Sequence, residues 1–477
     1  MKARLTTLSE EERKIIDAEA LQVLEEVGVQ FPGEMALSTL EAGGARVDYD
    51  RQVAYIGRDM VANALRTAPK EILFGARDPA QDVVLPRADA LYNLDGCGVY
   101  AWDYGASGRR DAVLQDVANA AKVFDTLDFG NICWPPISPS DVPQGPRSIV
   151  SAFTCYRNTS KHVQDEVKTR AEVPYVAEIS AILAGGRDRV KERNMYSVTY
   201  CTVAPLTHDQ EMLEATMDLS RHGAPINIYP MPASGTTGPG SLFYNLVTGI
   251  AEALSAVVVF QLYSPGCPLV MGSAIGSVNV RTGSFLEGMP ETVLQLCGSK
   301  EMADYYGLPS IIAGCISDAK MPGIQSAIEK VLTSLPLVLI GTDVVQGIGM
   351  LESSMTLSLE QILIDAEIAR LNARLRAGIE VVPEKNLFDD VAAVGPGGHF
   401  LKQKSTRRLF RSDEFYGSAL LDRGTYEEWQ AGGGLELTDK AHAQVVEILA
   451  AEQRCPMDPL IEKQILEVVE EAKAKLS

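Results

Sequence analysis

Aromatic side chains are scarce in this chain, 6% of 477 residues, yet Tyr92, Tyr100, Trp102 and Tyr104 crowd one short stretch. Trp134, Tyr200 and Tyr229 fall near the ends of β-prone runs. A cation with no N–H to donate is held by aromatic faces, each contributing about 0.5–2 kcal/mol according to desolvation. Core packing explains any single ring equally well; the grouping carries the hint. Three loops add chemistry. PMPASGTTGPG (230–240) places small residues and two threonines before an apolar helix, letting a large flat ligand approach the backbone and the helix N-terminal N–H groups, although an ordinary βα loop reads the same way. AGCISDAK (313–320) runs out into Ser317, Asp318 and Lys320, where Asp318 and Lys320 serve equally as helix-flanking residues. GPGGHFLKQKSTRRLFR (395–411) sets His399 among glycines beside the one dense basic run, a pattern usual for a solvated face.

Other chemistries lack their motifs. The five histidines include no HExxH and no neighbouring His/Cys set with metal-ligand spacing. The eight cysteines (Cys97, Cys133, Cys155, Cys201, Cys267, Cys297, Cys315, Cys455) contain no CxxC pair and read as reduced cytosolic thiols. No GxSxG elbow or P-loop is present. A net charge of −20 argues against a nucleic-acid surface, which needs clustered Lys and Arg; it suits solubility or docking to a basic rim, and leaves self-association open. The charged opening MKARLTTLSEEERKII is unlike a signal peptide. The apolar region Leu246–Val280 is broken by Glu252, Gln261, Pro265 and Pro268, as in a buried helix and strand rather than a membrane span. A cytoplasmic protein is expected.

The elements that must position these residues follow an alternating rhythm. The first ~70 residues read as largely helical, with a Ser9/Glu12 capping box and apolar residues at helical spacing up to Gly28. Residues 91–113 suggest a β-hairpin-like excursion. β-Prone runs then recur at 129–134, 162–167, 196–203, 225–231, 268–273, 310–315 and 337–343, separated by helix-length segments such as 208–223 (Thr207 cap, Gly223 stop) and 358–378. Such alternation means parallel strands joined by helical crossovers. No strand is followed by a GxGxxG turn, so the fold class is α/β, a TIM-like (β/α)8 barrel with helical N-terminal and C-terminal additions, the eighth strand unplaced. The domains expected are 1–127 (helical segment and hairpin), 128–400 (barrel) and 401–477 (C-terminal helical segment packed on the barrel). In such a barrel the site lies at the strand C-terminal ends, here Trp134, Gln164, Asp165, Glu166, Cys201, Thr202, Tyr229, Met231, Gly272, Ser273, Cys315, Ser317, Asp318, Thr342 and Asp343.

The stretches ALQVLEEVGVQF (20–31), GARDPAQDV (75–83), PMPASGTTGP (230–239), YGLPSIIAGCISDAKMPGIQSAIEK (306–330), LEQILIDAEIARLNARLRAGI (359–379) and GPGGHFLKQKSTRRLF (395–410) occur in one order along nearly the whole chain. In this the sequence resembles the trimethylamine methyltransferase family, and its members without pyrrolysine that act on quaternary amines such as glycine betaine. The resemblance implies a barrel whose cavity meets a separate corrinoid-binding protein, with a corrinoid (cobalamin) as the methyl acceptor and no tightly bound metal in the chain itself. Where the trimethylamine enzyme carries pyrrolysine, in the region matching Gly314 to Ser317, this chain has ordinary residues. A quaternary substrate leaves as a neutral tertiary amine and needs no general acid, so orientation and removal of water are the protein's main contributions. Under this reading Tyr100, Trp134, Tyr200, Tyr229 and Phe285 hold the cation. His399, Arg281 or backbone N–H groups receive a carboxylate. The loops with Gly235, Thr236 and Thr237 and with Gly314, Cys315 and Ser317 face the corrinoid. The alternatives are a non-catalytic quaternary-amine-binding protein, an acid/base lyase or isomerase using Asp165, Glu166 or Asp318, and a zinc-dependent methyltransferase.

Overall fold

The computed structural model describes residues 3–96 and 98–476; Cys97 lies outside them. Eight parallel strands form the central sheet: β1 Leu91–Leu94, β2 Ile132–Cys133, β3 His162–Asp165, β4 Tyr196–Cys201, β5 Ile226–Tyr229, β6 Leu269–Ser273, β7 Ser310–Ala313 and β8 Val344–Ile348. From β2 to β8 each pairs with its neighbour in chain order, and β8 pairs with β1. Tyr92 N donates to Phe129 O, just before β2, at 3.0 Å and brings the two edges together. Each strand is followed by its helix: α1 Leu114–Asp125, α2 Arg147–Asn158, α3 Val173–Ala184, α4 Gln210–Ser220, α5 Leu242–Tyr263, α6 Pro290–Tyr306, α7 Ile324–Ile340 and α8 Leu359–Ala377. The fold is a nearly closed (β/α)8 barrel.

Six of the seven expected runs contain a barrel strand. The seventh, 337–343, does not: Leu337–Ile340 end α7, Gly341 turns the chain with φ 98°, and the strand begins at Val344. α7 buries Leu337 and Val338 and carries Pro336 inside it, so its last turn reads locally like a buried strand. Thr342 and Asp343 therefore lie below β8, where the Asp343 carboxylate accepts Ser310 N and Arg87 N. The unplaced strand is β1, inside the segment assigned to the N-terminal addition, so the barrel opens near residue 91 rather than 128. The expected hairpin exists further on, between Tyr100–Trp102 and Arg109–Asp111.

The first 70 residues are less helical than their pattern suggested. Helices Glu10–Gln22, Glu34–Ala42 and Arg58–Thr67 alternate with an antiparallel sheet of Val29–Gln30, Val53–Tyr55 and Arg46–Asp48. The Ser9/Glu12 capping box does open the first helix. α4 starts later than expected, capped by the Asp209 side chain on Met212 N. α5 is long and apolar enough by composition to cross a membrane, yet it is mostly buried, between β5, β6 and the N-terminal helices. Its Glu252 accepts Thr202 Oγ1 (2.6 Å) and Leu206 N, and burial lifts its carboxyl to about 7. Helices Leu437–Ala450 and Pro459–Leu476 pack on the outside, against α8 and α1 and against α3 and α2 respectively.

Strand alternation sorts the barrel interior into layers. At the N-terminal end Leu91, Ile132, Val270, Ile311 and Val344 meet a plug formed by Ile72–Phe74 paired with Val83–Leu85. The opposite mouth is rimmed by two small sheets. One joins Met350–Leu351 and Thr356–Leu357, after β8, to the hairpin after β1; the other joins Ala233–Ser234, Gly276–Val278 and Phe285–Leu286 from the loops after β5 and β6.

Candidate active site

Above the apolar plug the interior turns polar. Gln346 on β8 accepts at Oε1 from Asn93 Nδ2 on β1 (3.1 Å) and from Gln164 Nε2 on β3 (3.2 Å), the second bond crossing the barrel. Gln164 in turn accepts from Ser197 Oγ, which meets His162 Nε2 at 2.8 Å. Burial holds His162 neutral, its pKa pushed down to about 4. Several atoms in this layer have no partner: Gln346 Nε2, Asn93 Oδ1, Thr199 Oγ1 and both amide atoms of Asn227. All four residues are buried, and an unpaired buried polar atom costs about 1–3 kcal/mol. Such a floor suits a polar group that enters from the mouth.

Over this floor the mouth is acidic. Asp95 follows β1, Glu166 follows β3, and Glu287 and Asp318 come from the loops after β6 and β7. Glu287 is buried and accepts Ser354 Oγ at 3.0 Å; burial, with Asp95 and Asp318 adding like charge, pushes its carboxyl well above the ordinary range. The Asp318 carboxylate accepts Glu287 N, Gly288 N and Ser353 Oγ. Ser353 and Ser354 reach these carboxyls from an unusual turn, in which Glu352, Ser353 and Ser354 all have left-handed φ (57°, 53°, 62°). That conformation costs roughly 1–2 kcal/mol per residue, and strain of this kind clusters at functional sites. Beside them the Cys201 thiol points at Glu166 Oε1 (3.8 Å); burial, then Glu166 and Asp95, drive its pKa up. Buried among like charges, Glu287 favours its protonated form until a cation arrives.

Two rings belong to this mouth. Trp134, following β2, lies against Gly96, where a Cβ would stand 1.9 Å from its ring, and donates Nε1–H to Asp165 at 3.1 Å. Asp165, at the top edge of β3, is lifted by burial to about 8. Tyr229 at the end of β5 rests beside Gly272 on β6, where a Cβ would meet the ring at 2.5 Å. The remaining sequence candidates sit elsewhere. Tyr200 faces outward: its hydroxyl meets His208 Nδ1 at 2.6 Å and Phe260 of α5 packs edge-on against its ring at 5.2 Å. It alternates with Thr199 and Cys201, so the strand's pleat excludes it from the interior. Tyr100 lies on the rim with one face covered by the Arg109 guanidinium, 3.7 Å from the ring centroid. Phe285, also on the rim, packs against Gly276. His399 and Arg281 are exposed, and His399 lies in a projecting segment outside the barrel.

The two loops expected to face a cofactor differ. Gly235, Thr236 and Thr237 form an exposed turn on the rim, closed by Ala233 N donating to Thr237 Oγ1 at 3.0 Å. After β7, Cys315 is buried with φ 56° and turns its thiol towards Asp365 and Ser334 in the helix layer, away from the mouth. Ser317 donates to Glu329 Oε2 at 2.6 Å. This loop is pinned from beneath: Lys330 Nζ binds Cys315 O (2.6 Å), Gly347 O and Asp365 Oδ2 (2.7 Å), with both charged side chains fully buried.

Residues 1–477 match the model of the trimethylamine methyltransferase (MTTB) family. The chain belongs to that family. Among its relatives, the trimethylamine methyltransferase of Desulfitobacterium hafniense is 32% identical over 467 residues, spanning 98% of this chain and 94% of that protein. The glycine betaine methyltransferase of the same species is 32% identical over 463 residues (96% and 95%). The trimethylamine methyltransferase of Methanosarcina thermophila is 33% identical over 459 residues (95% of each chain). The acidic mouth and amide floor are thus the candidate active site of a methyltransferase. Asp95, Glu287, Asn227 and Gln346 were not singled out from the sequence; the period-two spacing of Asn93 and Asp95 in LYNLDG was the one available signal.

Proposed function

We propose that this methyltransferase takes a methyl group from a quaternary amine that also bears a carboxylate, a betaine, and passes it to a corrinoid held by a separate protein. The observation that carries the reading is the pairing of an acidic, ring-bearing mouth with a floor of unpartnered amides. A betaine is a small zwitterion that matches both. Its trimethylammonium group fits between the Trp134 and Tyr229 faces, with Asp95, Glu166 and Glu287 supplying negative charge. Its carboxylate fits the free donors Gln346 Nε2 and Asn227 Nδ2, hydrogen bonds to a charged group contributing about 1.5–3 kcal/mol each.

The rim fits a broad acceptor: a Cβ added at Gly240 or Gly283 would meet nothing within 4 Å, and one at Gly235 would meet only Val280, at 3.8 Å. When bound there, a reduced corrinoid supplies the nucleophile. The chain's own residues hold the reacting N–CH3 group, exclude water and keep negative charge around the nitrogen. That charge must not outlast the reaction's needs. As the methyl leaves, the nitrogen becomes neutral, and Glu287 loses its counterion and takes up a proton again, which favours release of the tertiary amine. No acid is required for that leaving group.

The test mixes the purified chain with cob(I)alamin and a panel of glycine betaine, proline betaine, carnitine, γ-butyrobetaine, trimethylamine and tetramethylammonium. Corrinoid absorbance and proton NMR of the demethylated amine are followed together. Turnover of at least one betaine, faster than trimethylamine and tetramethylammonium, is expected. Binding of betaines without a demethylated product would make the chain a binding protein; no response to any betaine would end the reading.

A further inference from the structure

Between the end of α8 and the C-terminal helices, the chain leaves the body. From Ala373 to Ala419 no residue is buried, although the segment folds into short helices at Phe388–Val394 and Lys404–Leu409. Its root is tied down: Arg374 donates to Glu414 O, Lys385 pairs with Glu414, and Tyr416 donates to Glu367 at 2.8 Å. Beyond the root the arm carries Phe388 (73% exposed), Leu401 (81%) and Phe410 (63%), with Val391, Phe400 and Phe415. Ordering a backbone costs about 1–2 kcal/mol per residue, and a segment that buries nothing cannot offset that alone. Phe388, Phe400 and Phe410, able to bury ~150–250 Å² each, together with Leu401 bring it towards the ~800 Å² per partner that a stable interface uses.

Charge says what the partner is. The chain is strongly acidic, yet Lys402, Lys404, Arg407, Arg408 and Arg411 are crowded on the arm with no Asp or Glu from 391 to 412. None of the five makes an ion pair among the described residues. The same chain offers a complementary surface: a groove of about 420 Å³ lined by Leu8, Ile15, Phe243, Leu246 and Leu294, between the first helix and the N-terminal ends of α5 and α6. Ile15, Phe243 and Leu294 are 46%, 41% and 56% exposed, and Glu11 and Glu291 stand exposed on the same helix ends. The arm leaves at the C-terminal end of α8, the end of the barrel remote from the mouth, whereas the groove lies at the N-terminal ends of α5 and α6, on the mouth side.

We propose that the arm is an assembly device: residues 386–413 of one copy of this chain lie in the acid-rimmed groove of a second copy. Apolar side chains supply the contact, and the basic run faces Glu11 and Glu291 of the other copy. The full chain is examined by light scattering after gel filtration, alongside L401D/F410D on the arm, L294D in the groove, R407E/R408E, E11R/E291R, and the four-substitution chain combining the last two. All substituted residues are exposed, and circular dichroism checks that each variant is folded. The wild type is expected as a multiple of 51.6 kDa, with either apolar variant raising the subunit dissociation constant at least ~100-fold. Each charge reversal alone should weaken assembly and their combination should restore it. A monomeric wild type, an assembly unmoved by both apolar variants, or a combined charge swap no better than either half would overturn the proposal, and the last would point to a different partner for the arm.

Discussion

If Glu287 supplies charge to a bound cation, Glu287→Gln keeps its shape and the bond from Ser354 Oγ and removes only that charge. A unit charge about 5 Å from a cation at an effective dielectric of ~20 contributes about 3 kcal/mol. Not all of this reaches the affinity, because burial and the neighbouring Asp95 and Asp318 hold the free carboxyl protonated well above the ordinary range. Binding must first ionise it, at about 1.4 kcal/mol per pH unit between solution pH and pKa. One unit below its pKa, the variant should lose about 2 kcal/mol, roughly 30-fold in Kd for a betaine. The sign with pH follows. The ionised form binds, so wild-type affinity strengthens as pH rises towards the raised pKa of Glu287, and binding below that pKa releases a proton. Titration calorimetry in two buffers of different ionisation enthalpy reads both quantities. E287Q should bind more weakly, release fewer protons and show a flatter pH slope. If it binds within about twofold of wild type with the same slope and proton release, the carboxyl does not face the substrate nitrogen.

Gln346→Leu removes a free floor donor and the acceptor shared by Asn93 and Gln164; betaine affinity should fall ~10–100-fold, while tetramethylammonium, which has no carboxylate, should bind nearly as before in the same calorimetry. Tyr200→Phe should cost about 1 kcal/mol of stability through the lost His208 bond and leave kcat/KM unchanged, since the ring faces the helix layer; a large kinetic loss would return Tyr200 to the site. Lys330→Met should destabilise by about 3–5 kcal/mol in chemical denaturation by stranding Asp365, and adding Asp365→Leu should recover much of it. His162 and His208 are held by burial down to about 4 and about 3; the unfolded chain takes up these protons near 6.5, so stability is lost as pH falls below that value, by up to ~1.4 kcal/mol per unit and histidine. Asp165, raised to about 8, runs oppositely: its contribution is lost as pH rises towards 8, and Asp165→Asn should flatten the alkaline side of a melting-temperature profile.

The repeating β and α units were legible because parallel strands buried on both faces are continuous apolar runs, and six of them stand out plainly. The two failures share a cause. β1 carries Asn93, and Asp95 follows it, because this face lies in the polar layer and the mouth, so the polar residues of the candidate site interrupt the pattern that marks a strand. The end of α7 failed in reverse, since burial made a helix turn as apolar as a strand. Trp134 and Tyr229 lie at the mouth, where their strand-end position put them, whereas Tyr200 was misplaced by a single residue of pleat, which decides the face but leaves the residue equally near the end. Glu287 was beyond reach. It comes from a long loop, and its importance arises from Asp95 and Asp318, each distant in sequence.

The cost of this mouth explains the construction below it. Gathering Asp95, Glu287 and Asp318 raises the energy of the substrate-free protein, and the left-handed turn at Glu352–Ser354 adds several kcal/mol more. A loop bearing such strain relaxes unless its ends are fixed. Here they are fixed by one buried cation: Lys330 binds Cys315 O after β7 and Gly347 O within β8, while its partner Asp365 accepts Gly349 N at 2.8 Å. The pair thus ties together the two strand ends from which Asp318 and the Ser353–Ser354 turn arise. This gives Lys330→Met a second signature beyond stability. Freed of the clamp, the turn should relax, its hydroxyls should leave Asp318 and Glu287, and betaine affinity should fall even where the variant remains folded. A variant that loses stability but keeps wild-type affinity would show that the turn holds itself, and that the ion pair serves packing alone.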